Sequence, residues 1–224
     1  MARRVIGSMF ISLDGVIQGP GGTHEDVTGG FDEGGWVFKM SDEGIESTLG
    51  EIFSRDYDLL LGRRTYDIFA AYWPYVEGDG AEMGEAFTRA TKYVLSRGGR
   101  ALEWDNTVVL PDIEAVSALK AGDGPDLLIQ GSSTLYPALL TAGLLDELTL
   151  IRFPIVLGAG KRLFGDGTPA TLLKVTHRDV TAKGTVITRH EPVGSPPPYP
   201  AAAPPPSTSE REQERQRQMQ AGIW

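Results

Sequence analysis

Two stretches of the chain repeat one design, an apolar run, a glycine, and then polar residues opening a helix. They are Leu59-Leu60-Leu61-Gly62-Arg63-Arg64-Thr65-Tyr66 and Leu127-Leu128-Ile129-Gln130-Gly131-Ser132-Ser133-Thr134. The first N–H groups of a helix lack intrahelical partners and sit at the positive end of its dipole. A glycine lets a ligand approach the backbone, and hydroxyls add donors. Each junction has the chemistry of a phosphate cradle, although either alone is more often an ordinary strand–glycine–helix turn. Together they suit a ligand with two phosphates. Arg63 and Arg64 stand at the first junction, and Ser96-Arg97-Gly98-Gly99-Arg100 follows the next apolar run. Grouped arginines in an acidic chain suit an adenosine 2′-phosphate, because guanidinium supplies paired donors that a bare backbone lacks. Taken singly, each could instead pair with a surface carboxylate.

The elements that must position these residues follow from apolar spacing. Val5 to Ile11 reads as a buried strand, and residues 18–35, rich in glycine, as a loop. Residues 41–54 read as a helix with Ser41 as N-cap and Ile45, Leu49, Ile52 and Phe53 on one face. Tyr57 to Leu61 is a strand and Arg63 to Ala71 a helix. Tyr93 to Ser96 and Thr107 to Leu110 are short strands, and Pro111 opens a helix to about Ala121. Asp126 to Gln130 is a strand, followed by a helix capped near Ser133 or Thr134, since Pro137 fits only a first turn. Leu148 to Leu157 reads as a long strand interrupted by Pro154, a candidate homodimer surface. Leu172 to Val180 and Thr185 to His190 form a hairpin across Ala182-Lys183-Gly184. Alternating strands and helices ending in a hairpin imply a mixed α/β sheet with helices on both faces.

Composition narrows the function classes. The 224 residues carry 21 Lys+Arg against 30 Asp+Glu, a net charge of -9, which argues against nucleic acid as a partner. With Cys at 0, thiolate metal sites and cysteine nucleophiles are excluded, and a reducing, cytoplasmic setting is the expectation. No apolar run approaches the roughly 18 residues of a membrane span, so no membrane association is expected. His24, His177 and His190 lack metal-ligand spacing, and no nucleophile elbow surrounds Ser12, Ser132 or Ser133, so neither a metal site nor a hydrolase is expected. Residues 195–224 form a separate tail after the 1–194 domain. It is proline-rich from Pro196 to Pro206 and then charged from Glu210 to Arg217, and is expected to be disordered or a solvated turn or two.

In matching order over roughly residues 4–190, the chain resembles the dihydrofolate-reductase-like superfamily. The stretches that carry the resemblance are Ser12-Leu13-Asp14-Gly15-Val16-Ile17, Gly62-Arg63-Arg64-Thr65-Tyr66, Gln130-Gly131-Ser132, Leu144-Leu145-Asp146-Glu147-Leu148, and Pro154-Ile155-Val156-Leu157-Gly158-Ala159-Gly160 with Leu163-Phe164. The branch it is most similar to is the C-terminal reductase domain of bifunctional riboflavin-biosynthesis deaminase-reductases. The resemblance implies a three-layer α/β fold with a mostly parallel sheet and a C-terminal antiparallel hairpin. It also implies an NADPH-dependent oxidoreductase acting on a small pterin- or aminopyrimidine-like heterocycle, similar to 5-amino-6-(5-phosphoribosylamino)uracil reductase. Dihydrofolate reductase proper and a non-catalytic NADP(H)-binding regulatory dimer are the alternatives.

Carried over by position, the resemblance gives Gly62, Arg63, Arg64 and Thr65 to the cofactor phosphates, and Ser96 and Arg97 to the 2′-phosphate. Gly131, Ser132, Ser133 and Thr134 fall to the pyrophosphate, with Leu135 and Tyr136 packing beside it. Met9 and Phe10 approach the nicotinamide and Ile17 borders it. Hydride transfer needs a dry slot that aligns two rings, not a nucleophile or a metal. On the substrate side, Asp14 matches the branch motif and could bind a ribose hydroxyl or steer a proton, or close the Leu-Asp-Gly turn. Trp36, in the loop with Glu25, Asp26 and Phe31, could stack on a flat ring or anchor the loop. A dihydrofolate reductase of this kind carries an acid on its first long helix, where Asp42, Glu43, Glu46 and Glu51 are the candidates.

Overall fold

The structure is a computed structural model describing residues 2–98, 101–201 and 209–223. Short, wholly apolar runs become parallel strands buried on both faces, which is why Leu59, Leu60 and Leu61 are all inaccessible. The strands are β1 (Val5–Ile11), β2 (Tyr57–Gly62), β3 (Lys92–Leu95), β4 (Thr107–Leu110), β5 (Asp126–Ile129), β6 (Glu147–Arg152), β7 (Leu172–Val180) and β8 (Val186–Gly194). They form a single sheet in the order β4-β3-β2-β5-β1-β6-β8-β7. The first six are mutually parallel, and β8 and β7 close the sheet as an antiparallel hairpin. The C-terminal ends of β4, β3, β2, β5 and β1 therefore share one rim.

Helices α1 (Glu43–Phe53), α2 (Arg63–Tyr72), α3 (Ala81–Arg89), α4 (Ile113–Ala121), α5 (Leu135–Thr141) and α6 (Glu210–Gln220) complete the chain. Alternation along β2 divides the core. Leu59 and Leu61 pack with Tyr66 of α2 and Phe87 of α3, whereas Leu60 faces the other way, into a cluster with Val116 of α4 and Leu139 of α5. Among the described residues no helix is long and apolar enough to cross a membrane.

Several local expectations are revised. Asp42, not Ser41, caps α1, its carboxylate accepting from Ile45 N at 3.2 Å. Likewise Asp112 caps α4 after Pro111, accepting from Ala115 N at 2.9 Å. Helix α3 has no counterpart in the sequence reading. Gly80 at its N-cap and Gly84 within it hide the apolar period, yet Gly84 is needed, because a Cβ there would collide with the Trp73 carbonyl. Strand β6 ends at Arg152, before Pro154, which cannot donate to a ladder. The chain then folds back on the loop after β1, with Leu13 N donating to Ile155 O and Ile17 N to Lys161 O. The extended strand expected as a dimer surface is thus absent. In the tail, Glu210–Gln220 forms a full helix, capped by Ser209 and laced by Arg215–Glu212 and Arg217–Glu214 pairs, with none of its residues buried.

Candidate active site

Strand β2 pairs with β5 in the register Leu59↔Leu128, which, continued three residues, brings Gly62 beside Gly131. The two glycine junctions are neighbours on one rim. A Cβ on Gly62 would run into the Ser132 hydroxyl, and one on Gly131, whose φ is +136°, would lie 2.7 Å from Thr65 Oγ1. Thr65 Oγ1 and Ser132 Oγ are 2.8 Å apart. Helix α2 starts at Gly62 with no side-chain cap, so its first-turn N–H groups are open to a ligand.

These junctions stand at the middle of a cleft of about 1000 Å³. It runs along the rim from β4 to β1, four inter-strand steps or roughly 19 Å at ~4.8 Å per step. Except for Tyr136, every residue expected at the cofactor lines it. Gly62, Arg63, Arg64 and Thr65 come from the β2–α2 junction, and Gly131, Ser132, Ser133, Thr134 and Leu135 from the β5–α5 junction. Ser96 and Arg97 lie past β3, and Met9, Phe10 and Ile17 at the β1 end. Tyr136 is instead fully buried in the core, edge-on to Phe164, and burial pushes its hydroxyl pKa up.

The arginines separate by engagement. Arg63 Nε donates to both oxygens of Asp67, one turn along α2, at 2.9 and 3.1 Å. Arg64 and Arg97 are exposed and make no hydrogen bond or ion pair with a described residue. Arg100, grouped with them in the sequence, lies outside the described residues.

Two substrate-side expectations do not hold. Asp14 does not line the cleft. Its carboxylate accepts from Leu157 N at 3.1 Å, Gly158 N at 2.9 Å and Ser12 Oγ at 2.7 Å, tying the loop after β1 to the loop after β6. Burial pushes its pKa up, but these hydrogen bonds outweigh it and hold the carboxyl below its ordinary value. Trp36 is fully buried, donates from Nε1 to Gln18 O at 2.9 Å and meets Phe153 edge-on, so it anchors the glycine-rich loop and has no face for a ligand. Phe31 is buried beside it, whereas Glu25 and Asp26 of the same loop do line the cleft. None of Asp42, Glu43, Glu46 and Glu51 on or next to α1 reaches the cleft.

Gln18 and Lys161, which sequence reasoning missed, build the wall at the β1 end. Gln18 is buried and donates from Nε2 to Asp26 O at 2.9 Å and Thr28 O at 2.8 Å, while its Oε1 accepts from Lys161 N at 3.0 Å. Lys161 Nζ pairs with Asp26 Oδ2 at 2.5 Å and donates to Thr28 Oγ1 at 2.6 Å. Burial pushes Asp26 up, yet these bonds from Lys161 and Thr28 bring it below its ordinary value. The available signal was the glycine-flanked run Gly158 to Leu163, in which Lys161 sits.

Parallel strands ending on one rim, with the cleft crossing their C-terminal ends and a hairpin closing the sheet, make up a fold of the dihydrofolate-reductase-like class. Within that class the chain belongs to the RibD C-terminal domain family, which matches residues 3–188. A curated relative, the uncharacterized protein YyaP of Bacillus subtilis (strain 168), is 29% identical over 188 residues, covering 82% of this chain and 92% of its own. Among solved structures, a protein assigned to riboflavin biosynthesis from Shewanella sp. PV-4 aligns with a TM-score of 0.64 at 21% identity, over 86% of this chain and 99% of the other. The dihydrofolate reductase of Enterococcus faecalis, solved with NADP(H), aligns with a TM-score of 0.53 at 13% identity, over 86% of this chain and 99% of the other. Likeness at this distance speaks for the fold.

Proposed function

We propose that the protein is an NADPH-dependent reductase of a small pterin- or aminopyrimidine-like heterocycle. The observation that carries this reading is the side-by-side placement of Gly62 and Gly131 at the middle of a cleft whose two arms differ in chemistry. A dinucleotide has the same plan, with two phosphates at its centre, a charged adenosine arm and an aromatic ring at the other end. The missing Cβ atoms of Gly62 and Gly131 let Ser132 and Thr65 close together at the middle of the cleft, and Thr65, Ser132, Ser133, Thr134 and the first turn of α2 supply donors to a diphosphate there. Arg64 and Arg97 meet the 2′-phosphate, with Ser96 beside them. Met9 and Ile17, both apolar, border the nicotinamide with Phe10 and Leu135 nearby, and exclude water from it. When bound, the cofactor supplies a hydride, and the residues around it hold two rings in register.

Titrating the protein with NADPH and NADH, followed by nicotinamide fluorescence, tests the cofactor, and loss of nicotinamide absorbance with dihydropterins and aminopyrimidine ribosides tests turnover. NADPH binding well above NADH, with oxidation by a heterocycle, is the expected result. Tight binding with no oxidation by any of them points to the non-catalytic alternative. The absence of every α1 carboxylate from the cleft speaks against dihydrofolate reductase proper.

A further inference from the structure

The β1 end of the cleft is polar, but its polar groups are arranged against a negative charge. The titratable side chains lining it, among the described residues, are Glu25, Asp26 and Lys161. The single ammonium is already engaged, held by Asp26 Oδ2 at 2.5 Å and Thr28 Oγ1 at 2.6 Å, while Asp26 Oδ1 accepts from Thr28 N at 3.1 Å on the other side. Both ends of the Gln18 amide are occupied by the loop and by Lys161 N. Glu25 remains with no cation partner among the described residues, its Oε2 accepting only from backbone, Gly21 N at 2.6 Å. The wall carries two carboxylates and one ammonium. Burial, reinforced by the neighbouring Asp26 charge, already pushes the Glu25 carboxyl above its ordinary value against the pull of backbone hydrogen bonds. Any second anion placed there meets the same burial and the same charge.

An uncharged acceptor, by contrast, has a partner waiting. Gln130 follows β5, and continuing the register Gly7↔Ile129 places it beside Ser8 of β1. Both line the cleft, and the Gln130 Nε2, turned inward, finds no hydrogen-bond partner among the described residues, so the amide gains one by rotating toward a ligand in the cleft. A buried amide N–H without an acceptor costs about 1–3 kcal/mol, which a ring carbonyl or imine nitrogen would recover.

Resting on the reductase reading above, we propose that the molecule reduced at the β1 end is an uncharged heterocycle presenting a hydrogen-bond acceptor to Gln130, and that the Glu25 and Asp26–Lys161 wall rejects analogues carrying a phosphate or carboxylate. The wall sets specificity by repulsion, since a desolvated anion without a free cation is strongly disfavoured.

Two ligand pairs that differ in charge test this on protein saturated with NADP⁺, by tryptophan quenching, and on protein saturated with NADPH, by nicotinamide absorbance. One pair is an aminopyrimidine riboside and its 5′-monophosphate; the other is a dihydropterin and dihydrofolate, whose glutamate tail is anionic. The uncharged member of a pair is expected to bind about tenfold tighter or more. Asp26→Asn, which releases Lys161, is expected to shrink that gap to roughly threefold or less. Because Asp26 also ties the loop, Glu25→Gln serves as a second variant that keeps an acceptor for Gly21 N and should narrow the gap in the same direction. Equal or tighter binding of the charged members, or a gap that neither variant changes, overturns the proposal while leaving NADPH binding intact. Failure of the wild-type protein to bind NADPH would remove the reductase reading itself, and is scored before any heterocycle is added.

Discussion

Thr65 Oγ1 and Ser132 Oγ lie 2.8 Å apart although 67 residues separate them in the chain. The contact joins the start of α2 to the segment before α5, and it closes over two glycines that have no room for a Cβ. Neighbouring strand ends with open backbone thus become one continuous surface of donors, with a hydroxyl from each side.

Gly131→Ala should be costly for two independent reasons. Its φ of +136° is a conformation that alanine adopts only with strain, and the new Cβ would meet Thr65 Oγ1 at 2.7 Å. Equilibrium denaturation should show a loss of about 1–3 kcal/mol. NADPH affinity should fall in parallel, because the Thr65 hydroxyl must move. A variant as stable as wild type with unchanged affinity would contradict the cradle.

Arg64 and Arg97 should act differently from Arg63. The first two have no described partner, whereas Arg63 is forked onto Asp67. Arg64→Ala and Arg97→Ala should each weaken NADPH by about tenfold, roughly 1.4 kcal/mol, and leave NADH nearly unchanged. Arg63→Ala should have the smaller effect on the NADPH-to-NADH ratio, read from paired fluorescence titrations. Equal losses for both coenzymes in the Arg64 and Arg97 variants would place the 2′-phosphate elsewhere.

How far the sequence could disclose this site depends on the range of the interactions involved. Both glycine junctions are local, so Leu61-Gly62-Arg63 and Ile129-Gln130-Gly131 are legible as strand-to-helix turns without any knowledge of the sheet. Their adjacency is not, because it depends on β5 inserting between β2 and β1 in the sheet order. Trp36 reads equally as a stacking platform or an anchor, and only the hydrogen bond to Gln18 and the burial against Phe153 decide for the anchor. The wall at the β1 end was hidden for the same reason. Lys161 and Gln18 meet across 143 residues, and nothing in the spacing of either pointed to the other. Helix α3 was missed because Gly84 depresses helix propensity where close packing on Trp73 requires it, and Gly80 just before the helix packs as closely on Val76.

Asp14 gives a clean separation of structure from binding. With three donors satisfied between the loops after β1 and β6, Asp14→Ala should lose about 1–3 kcal/mol of stability in urea denaturation. NADPH affinity should stay within about twofold of wild type at temperatures where the variant is folded, since the side chain lies outside the cleft. A large loss of affinity without loss of stability would return Asp14 to the site.

Lys92 should make stability climb with pH in the alkaline range. It is fully buried on β3, with Nζ donating to Phe87 O at 3.2 Å and Thr88 O at 2.8 Å and standing 4.4 Å over the Trp104 ring. Burial pulls its pKa from 10.5 down to about 8, against the upward pull of Asp105 and Asp58. Between those two values the unfolded chain holds a proton that the folded protein has released, so the free energy of unfolding rises as pH increases across that window. Below about 8 both states are protonated and the penalty is constant. The gain across the window is on the order of 1–3 kcal/mol. Tyr57, pushed up to about 12 by burial, acts in the opposite sense above its ordinary value of 10.0, so the rise should flatten near that pH. Chemical denaturation at intervals from pH 7 to 10 reads the slope directly. Lys92→Met, which keeps the apolar length and removes the titration, should abolish it, and a slope that persists in that variant would assign the effect to another group.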